Sequence, residues 1–352
     1  MSEGGRDAVD VGRLIGGRLG REVADVCRVG GHNSRVYRVT CTSGEAYAVK
    51  LYLRRRPDER DRLAAEFAGL NFLWDHGVCC VPRPLIALPE ANLAVYDYVE
   101  GSAIGPGSAS GQDIDQAVEF LGVLEALKER PGATDLPPAA EACFSFQAIV
   151  ESIEERLRRL QRAQPEGRAA AGFRAFVADA LPSALRTVAA WSASRARTFG
   201  FAFAAPIDLA ARTLSPSDFG FHNALRARGG SLIFLDFEYF GWDDPAKMVA
   251  DFLLHPAMRL SEDLKHRFVV GVLRRLSRHP GLDRRVEIVY PLLGLKWCVI
   301  LLNEFLPEHL ARRGFAEDEG PDAGQAQAEQ LDKACTLLDR VMSGHERFAY
   351  GY

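Results

Sequence analysis

The chain lacks several features that mark common protein classes. Its seven cysteines include no Cys-x-x-Cys pair and their number is odd, which argues against a disulfide framework and favours reduced thiols. The first ten residues, MSEGGRDAVD, are polar and lack the apolar core of a secretion signal. The net charge is −4, so no basic excess points to a nucleic-acid partner.

Long uninterrupted apolar runs are also missing. The most apolar late stretch, residues 288–302, is broken by Pro291 and Lys296, so we expect no membrane span and no membrane partner. No internal repeat is present. The chain has 352 residues, 47% hydrophobic and 26% charged, which is ordinary globular composition and long enough for one large or two smaller domains. Together these features predict a cytoplasmic protein.

Carboxylates and amides concentrate between Leu214 and Pro245. Asp218 is followed five residues later by Asn223, then by a Gly-Gly turn, an apolar strand over residues 232–235, and Asp236 where that strand ends. This pattern suits phosphoryl transfer, in which one carboxylate orients and deprotonates a hydroxyl while an Asn and an Asp hold magnesium. The alternative is that these residues only form turns and end a strand.

The N-terminal part reads as four strands, over residues 23–29, 35–40, 46–53 and 93–99, with a glycine turn after the first. Such a turn allows backbone N–H groups to approach phosphate oxygens, and the third strand carries Lys50. An ordinary hairpin with an exposed lysine is the alternative. Residues 1–8 are expected to be disordered. Apolar spacing predicts helices over residues 9–19, 60–74, 113–127, 144–162, 173–194, 246–254 and 325–342.

Taken in order, GGHNSRVYRV, the Lys50 strand, Asp218-x4-Asn223 and Asp236-Phe-Glu-Tyr resemble the aminoglycoside phosphotransferase and choline kinase superfamily, small-molecule relatives of protein kinases. The DFEY run resembles choline kinases most. The resemblance covers residues from about 30 to about 251. It implies an α+β, protein-kinase-like bilobal fold, with an antiparallel N-terminal sheet and one helix in residues 1–100 and a mainly helical lobe in residues 101–352.

The resemblance also implies residue roles. Asp218 would be the catalytic base, Asn223 and Asp236 would bind Mg²⁺, and Lys50 held by Glu66 would bind the nucleotide phosphates. The adenine would meet the backbone from Asp97 to Val99, and the nucleotide loop would comprise Gly30, Gly31, Asn33 and Ser34. The implied donor is ATP, with GTP left open, and the implied acceptor is a hydroxyl of an amino alcohol, sugar or aminoglycoside-like metabolite.

Some residues depart from the superfamily pattern. Pro216 stands where a histidine usually precedes the catalytic aspartate, and His222 is displaced to the position before Asn223. Asp244-Pro245 fits the Asp-Pro-x-x-Asp motif, but Met248 replaces its second aspartate and Asp251 comes three residues later. The base, metal ligands and lysine remain, which favours an active enzyme. The alternative is a catalytically inactive nucleotide-binding regulator. His222, His255 and Trp297 are interpreted as packing residues.

Residues after Asp236 suggest the acceptor's chemistry. Glu238, Trp242 and Asp243 combine carboxylates with an aromatic ring, a set that attracts a cation. Alternatively, the aromatic residues pack under the loop and the aspartates cap the next helix. A cationic acceptor is therefore one of two open interpretations.

Overall fold

The computed structural model describes residues 3–31, 34–53, 60–310 and 323–350. They form two compact units. The first contains the described parts of Met1–Ala103 and the segment Asn223–Phe240, and the second contains Ile104–His222, Gly241–Leu310 and residues 323–350. The short segment 223–240 therefore belongs with the N-terminal part of the chain, although it lies far along the sequence.

A five-stranded antiparallel sheet forms the centre of the first unit, in the order β1-β2-β3-β5-β4. The predicted strands and the predicted helix after the third strand are confirmed, and β4 is an additional strand. The elements of this part are α1 (Glu3–Leu19), β1 (Val23–Gly30), β2 (Ser34–Cys41), β3 (Ala46–Tyr52), α2 (Arg62–Asp75), β4 (Pro84–Leu88) and β5 (Leu93–Asp97).

One face of the sheet is covered by α1, whose Val11 and Ile15 pack on Tyr37 and Val49. The expectation of disorder over residues 1–8 is wrong for residues 3–8, because α1 begins at Glu3. Burial of its apolar face stabilises a helix that its glycines make weak by propensity alone. Since side chains alternate along a strand, Lys50 points away from α1.

The helix α2 lies where Lys50 points, because Lys50 contacts Glu66 in that helix. Asp61 caps its start by accepting from the Ala64 N–H at 2.9 Å. Glu66 shares a helical face with the buried Leu63 and Leu70, three residues after the first and four before the second. The helix therefore presents a carboxylate in the middle of its apolar face.

The remaining elements are β6 (Ser102–Ala103), α3 (Gly111–Leu127), α4 (Phe146–Arg162), α5 (Ala170–Ala175), α6 (Leu181–Thr198), β7 (Thr213–Ser215), β8 (Ala224–Arg226), β9 (Leu232–Phe234), β10 (Gly241–Asp243), α7 (Pro245–Leu254), α8 (Glu262–Arg275), α9 (Leu282–Leu301) and α10 (Ala323–Gly344). The helices predicted in this part are confirmed. A π-helical turn over Phe176–Ala180 joins α5 to α6, and Pro182 lies in the first turn of α6, where a proline is tolerated.

The hairpin of β8 and β9 carries the predicted metal ligands at its open end. Gly229 and Gly230 close it with φ of 101° and 87°, a conformation that favours glycine. At the other end, the Leu235 N–H donates to the Asn223 carbonyl at 2.8 Å. Asp236 directly follows Leu235, so this bond places Asn223 and Asp236 at the same end of the hairpin.

The second unit is built around α9, which packs against α4, α6, α7 and α10. The segment Leu282–Phe305 is long and apolar enough to cross a membrane by length and composition, and 72% of its most apolar window is buried within the structure. That burial is typical of a core helix. All seven cysteines lie within the described residues, and none forms a disulfide.

Candidate active site

Lys50 forms the centre of a charged cluster in the first unit. Its Nζ lies 2.7 Å from Glu66 Oε2 and 2.6 Å from Asp236 Oδ1, while Glu238 Oε2 lies at 3.6 Å. The lysine is 7% exposed. Burial by itself would lower its pKa, but Asp236, Glu66 and Glu238 outweigh burial and hold the pKa well above its usual range. Lys50 is therefore a fixed, permanently positive group.

Glu66 is held in place by three donors. Besides Lys50, the Tyr52 hydroxyl donates to Oε2 at 2.7 Å and the Phe237 N–H donates to Oε1 at 3.2 Å. Phe237 directly follows Asp236, so one carboxylate connects β3 to the backbone of the predicted metal loop. The predicted pairing of Lys50 with Glu66 is present in the structure.

Asp236 adopts a strained backbone conformation, with φ of 65°. Its side chain remains 37% exposed, whereas the carboxylates of Glu66 and Glu238 are almost fully buried. Asp236 therefore presents a carboxylate that a ligand can reach, while Lys50 holds it from the buried side.

Glu238 is buried beside the other carboxylates. Its Oε1 accepts from Arg62 at 2.8 Å, and no residue in the described part of the chain hydrogen-bonds to its Oε2. Burial and the neighbouring Asp236 raise the pKa of Glu238 to about 7, against the opposing effect of Lys50 and Arg62. Among the described residues, the cluster thus holds three carboxylates, Glu66, Asp236 and Glu238, and two cations, Lys50 and Arg62.

The predicted nucleotide-loop residues lie at the turn between β1 and β2. Gly31 has φ of 112°, and a Cβ there would lie 1.9 Å from the Ser34 carbonyl oxygen, so this position requires glycine. A Cβ on Gly30 would meet open space, and Ser34 is buried at the start of β2. Asn33 lies outside the described residues.

The predicted adenine-binding segment follows β5. Asp97 and Val99 are both half-buried there. The Asp97 N–H already donates to the Arg83 carbonyl at 2.9 Å. If this segment binds the adenine of a nucleotide, backbone groups of residues 97–99 other than the Asp97 N–H would have to make the contact.

Asp218 lies in the second unit and contacts two histidines. His222 Nε2 and His255 Nε2 approach the same oxygen, Oδ1, at 3.2 and 3.4 Å. The two rings also stack on each other, so the histidines pack as expected and in addition contact the predicted catalytic carboxylate. Burial would raise the pKa of Asp218, but the hydrogen bonds from His222 and His255 outweigh it and hold the pKa far below its usual value.

The loop before Asp218 is tightly wound. Ser217 has φ of 68°, its N–H donates to Ser215 Oγ at 3.0 Å, and the Asp218 N–H donates to the Pro216 carbonyl at 2.9 Å. Because Ser217 is strained, the surrounding contacts must fix the conformation that aims Asp218.

Trp242 and Asp243 lie in the interior of the second unit. Trp242 is 6% exposed and its indole N–H donates to the Ala133 carbonyl at 2.9 Å. Asp243 is fully buried and its Oδ2 accepts from Lys247 at 2.9 Å, while Asp244 caps α7 through the Ala246 N–H. These contacts favour the packing and capping interpretation over direct contact with an acceptor.

The first unit contains a lysine held by carboxylates on a sheet, and the second contains an aspartate held by two histidines. A family model described as "Phosphotransferase enzyme family" matches residues 26–288. The chain belongs to the phosphotransferase enzyme family. No curated protein matches this phosphotransferase.

Solved structures share the phosphotransferase's fold. The choline kinase of Streptococcus pneumoniae superposes with a TM-score of 0.57 at 18% identity, covering 94% of this chain and 98% of that one. A spectinomycin phosphotransferase in complex with ADP and spectinomycin gives 0.60 at 13% identity, covering 94% and 98%. A macrolide 2′-phosphotransferase of Brachybacterium faecium gives 0.57 at 17%, covering 88% and 98%. The expected kinase-like α+β fold is confirmed.

Three residues of the candidate site, Tyr52, Arg62 and His255, were not predicted from the sequence. Tyr52 and Arg62 join the Lys50 cluster, and a sequence signal existed for Tyr52, because it lies two residues after Lys50 and so shares its face of the strand. His255 had no such signal, since it lies 37 residues after Asp218 and reaches it only through the fold.

Proposed function

We propose that this phosphotransferase transfers the γ-phosphate of ATP to a hydroxyl of a small molecule. The observation that carries the proposal is the buried Lys50 between Glu66 and Asp236. A cation fixed in this way suits the phosphates of a nucleotide, because little is lost in ordering it when the ligand arrives. ATP is the proposed phosphate donor, and measuring the reaction with GTP in place of ATP would test the alternative donor.

A divalent cation fits the residues present. One ligand atom from each of Glu66, Asp236 and Glu238 lies within 4.8 Å of the others, and the buried Glu238 Oε2 has no hydrogen-bond partner among the described residues. An excess of hard oxygen ligands is the donor set that Mg²⁺ prefers. We propose Asn223 and Asp236 as the residues that hold it. When bound, the ion would neutralise phosphate charge.

In the proposed reaction, a bond forms between the acceptor oxygen and the γ-phosphorus while the bond from that phosphorus to the bridging β-phosphate oxygen breaks. The bond's electron pair leaves with ADP, and the hydroxyl proton passes to Asp218 and then to water. Because the pKa of Asp218 is held far below its usual value, Asp218 is a weak base. Its main role would be to orient the hydroxyl, and the proton would be transferred after the new bond to phosphorus has largely formed.

The class of acceptor stays open between amino alcohols, sugars and aminoglycoside-like molecules. Two proteins of similar fold are a choline kinase and a spectinomycin phosphotransferase. The cationic interpretation loses support here, because Trp242 and Asp243 are engaged in the interior. A cavity of about 730 Å³ in the second unit includes His255, and its lining carries both acids and bases: Arg259, Glu262, Lys265, Asp332, Lys333 and Arg340.

A screen for ADP release tests the proposal. The wild-type protein would be incubated with Mg²⁺, either ATP or GTP, and a panel of amino alcohols, sugars and aminoglycosides. We expect ADP release that depends on one acceptor class and disappears in Lys50→Met, while Arg186→Met, at an exposed position on α6, retains it. Acceptor-dependent release of equal size in the Lys50 variant would contradict the proposed site.

A further inference from the structure

Two histidines from different elements converge on one oxygen of Asp218. His222 lies four residues after Asp218, in the short turn before β8, and His255 ends α7. Their Nε2 atoms lie 3.2 and 3.4 Å from Oδ1, and their rings stack 3.8 Å apart at an interplanar angle of 7°. Neither contact follows from the local turn that carries Asp218.

The contacts of the other ring nitrogens define the tautomers. The Ala257 N–H donates to His255 Nδ1 at 3.3 Å, so a neutral His255 carries its proton on Nε2, facing Asp218. His222 Nδ1 is buried with no acceptor among the described residues, and a proton there would be an unsatisfied donor. Both rings therefore donate from Nε2.

The His255 ring is itself held in place. Trp297 packs edge-on against it at 4.7 Å, and the Trp297 indole donates to Asp251 Oδ1 at 3.1 Å. Asp251 pairs with the buried Lys247 at 2.9 Å. The orientation of His255 is thus fixed by a chain of contacts that extends into the core of the second unit.

The loop before Asp218 contributes little to the orientation of the Asp218 carboxylate. Pro216 has no side-chain donor, and Ser217 is strained at φ of 68°. Two donors from different elements on one oxygen restrain the rotation of the carboxylate. We propose, on the basis of the phosphotransferase function above, that His222 and His255 act together as positioning residues that hold the Asp218 carboxylate through Oδ1 in the orientation that the acceptor hydroxyl requires.

Two kinds of substitution distinguish the effect of losing the hydrogen bond from the effect of losing the ring. His222→Gln and His255→Gln keep an amide donor near the position of Nε2, whereas the Leu variants keep bulk and lose the donor. We expect each Leu variant to lower kcat by about tenfold to a hundredfold, because a misplaced reacting group is costly. The KM for ATP should stay within about twofold. The Gln variants should recover most of the lost kcat, and His266→Leu, at an exposed position on α8, is the matched control.

Asp218→Asn distinguishes the failure of this proposal from the failure of the proposed function. If Asp218→Asn is inactive while both Leu variants keep the wild-type kcat, the positioning role is refuted and the function stands. If Asp218→Asn is as active as the wild type, the role proposed for Asp218 fails and the positioning role of the histidines fails with it. If the wild type transfers no phosphate to any acceptor, the proposed function itself fails.

A spectroscopic measurement covers the case in which the Leu variants do not fold. In protein labelled with ¹⁵N-histidine, His222 and His255 should each carry a proton on Nε2, and Asp218→Asn should shift both signals. Absence of the Nε2 proton in either ring would overturn the proposal. So would stoichiometric binding of Zn²⁺ to the wild type that Asp218→Asn abolishes, because these atoms would then be metal ligands.

Discussion

Glu66 illustrates how much a single residue constrains the Lys50 cluster. One of its oxygens accepts from both Lys50 and Tyr52, and the other accepts from the Phe237 N–H. A carboxylate with three donors has little freedom to rotate, so Lys50 is held at a defined point on β3. The Tyr52 hydroxyl also lies 2.8 Å from the Tyr96 hydroxyl, which extends this network towards β5.

Tyr52→Phe tests that constraint. Removing the hydroxyl leaves Glu66 with one donor fewer and Tyr96 without this partner, so we expect the free energy of unfolding to fall by about 1 kcal/mol. The KM for ATP should rise severalfold because Lys50 is less well fixed. Urea denaturation and steady-state kinetics measure both effects. Tyr47→Phe, on the opposite face of the same strand, should change neither, and equal effects in the two variants would refute the network's role.

Asp236→Asn tests the proposed metal ligand. The variant keeps the size of the side chain but removes a negative charge that a divalent cation would need, so the Mg²⁺ concentration that gives half-maximal nucleotide binding should rise by at least about tenfold. Calorimetric titration with ATP at several Mg²⁺ concentrations measures this. Asp25→Asn, at an exposed position in β1, is the control. An unchanged Mg²⁺ dependence in Asp236→Asn would place the metal site elsewhere.

Individual side chains could be predicted where the sequence resembled a family pattern. That resemblance implied the pairing of Lys50 with Glu66, and the regular elements β3 and α2 bring the two side chains together. The histidines could not be placed, since the path from α7 to Asp218 depends on how the second unit packs. The same holds for Trp242 and Asp243, whose burial no local pattern shows.

The helix α2 is positioned by a close contact at the level of elements. A Cβ on Gly69 would lie 2.6 Å from a ring carbon of Phe240, which is fully buried. The absence of a side chain at residue 69 thus allows α2 to approach segment 223–240, which carries Asp236. Glu66 lies one turn away in the same helix.

Gly69→Ala should therefore destabilise the protein although alanine favours helices. The gain in helix propensity is about 1 kcal/mol, and overpacking against a buried ring costs about 1–3 kcal/mol. We expect a net loss of stability and a higher KM for ATP. Thermal denaturation and kinetics measure both, with Ala68→Ser on the exposed face of α2 as the control. A more stable variant with unchanged KM would show that Phe240 moves freely.

Glu141 joins two helices of the second unit. It lies 2.6 Å from Arg156 in α4 and 3.0 Å from the buried Lys296 in α9. Burial opposes ionisation, but Lys296 and Arg156 prevail and lower the pKa of Glu141 to about 2. Its contribution to stability is therefore complete above the ordinary glutamate pKa and is lost as the pH falls towards 2.

Glu141→Gln should lower the free energy of unfolding at pH 7, by about 1 kcal/mol because solvent screens a side chain that is 39% exposed. The difference from the wild type should shrink as the pH falls from about 4.5 towards 2. Urea denaturation at pH 7 and pH 3.5 measures it, and the exposed Glu129→Gln is the control. A difference that is independent of pH would show that the ion pairs contribute nothing.

Most elements could be predicted because their apolar periodicity is strong. Two were predicted only in part or not at all, for physical reasons. The first helix was predicted only over residues 9–19, because its glycines make it weak alone and it depends on packing against the sheet. Strand β4 begins at Pro84, and its pairing with β5 is irregular near that proline, so the local sequence resembles an extended connector.

At the level of the whole molecule, the order of motifs was more informative than any one of them. A glycine turn, a lysine strand, a glutamate helix and the segment 214–245 predicted the family, which the family model confirms. The return of residues 223–240 to the first unit could not be predicted from spacing. This return places Asn223 and Asp236 in the unit of Lys50, while Asp218 stays in the second unit.

The division of roles between the two units can be measured directly in a single turnover. With the acceptor found by screening, transfer of radiolabelled γ-phosphate from ATP would be followed in the wild type and in Asp218→Asn, and ATP binding would be measured in both. We predict that Asp218→Asn binds ATP as tightly as the wild type but transfers phosphate roughly 10²- to 10⁴-fold more slowly. Equal transfer rates, or ATP binding without any transfer by the wild type to any acceptor, would contradict the account and favour a nucleotide-binding regulator.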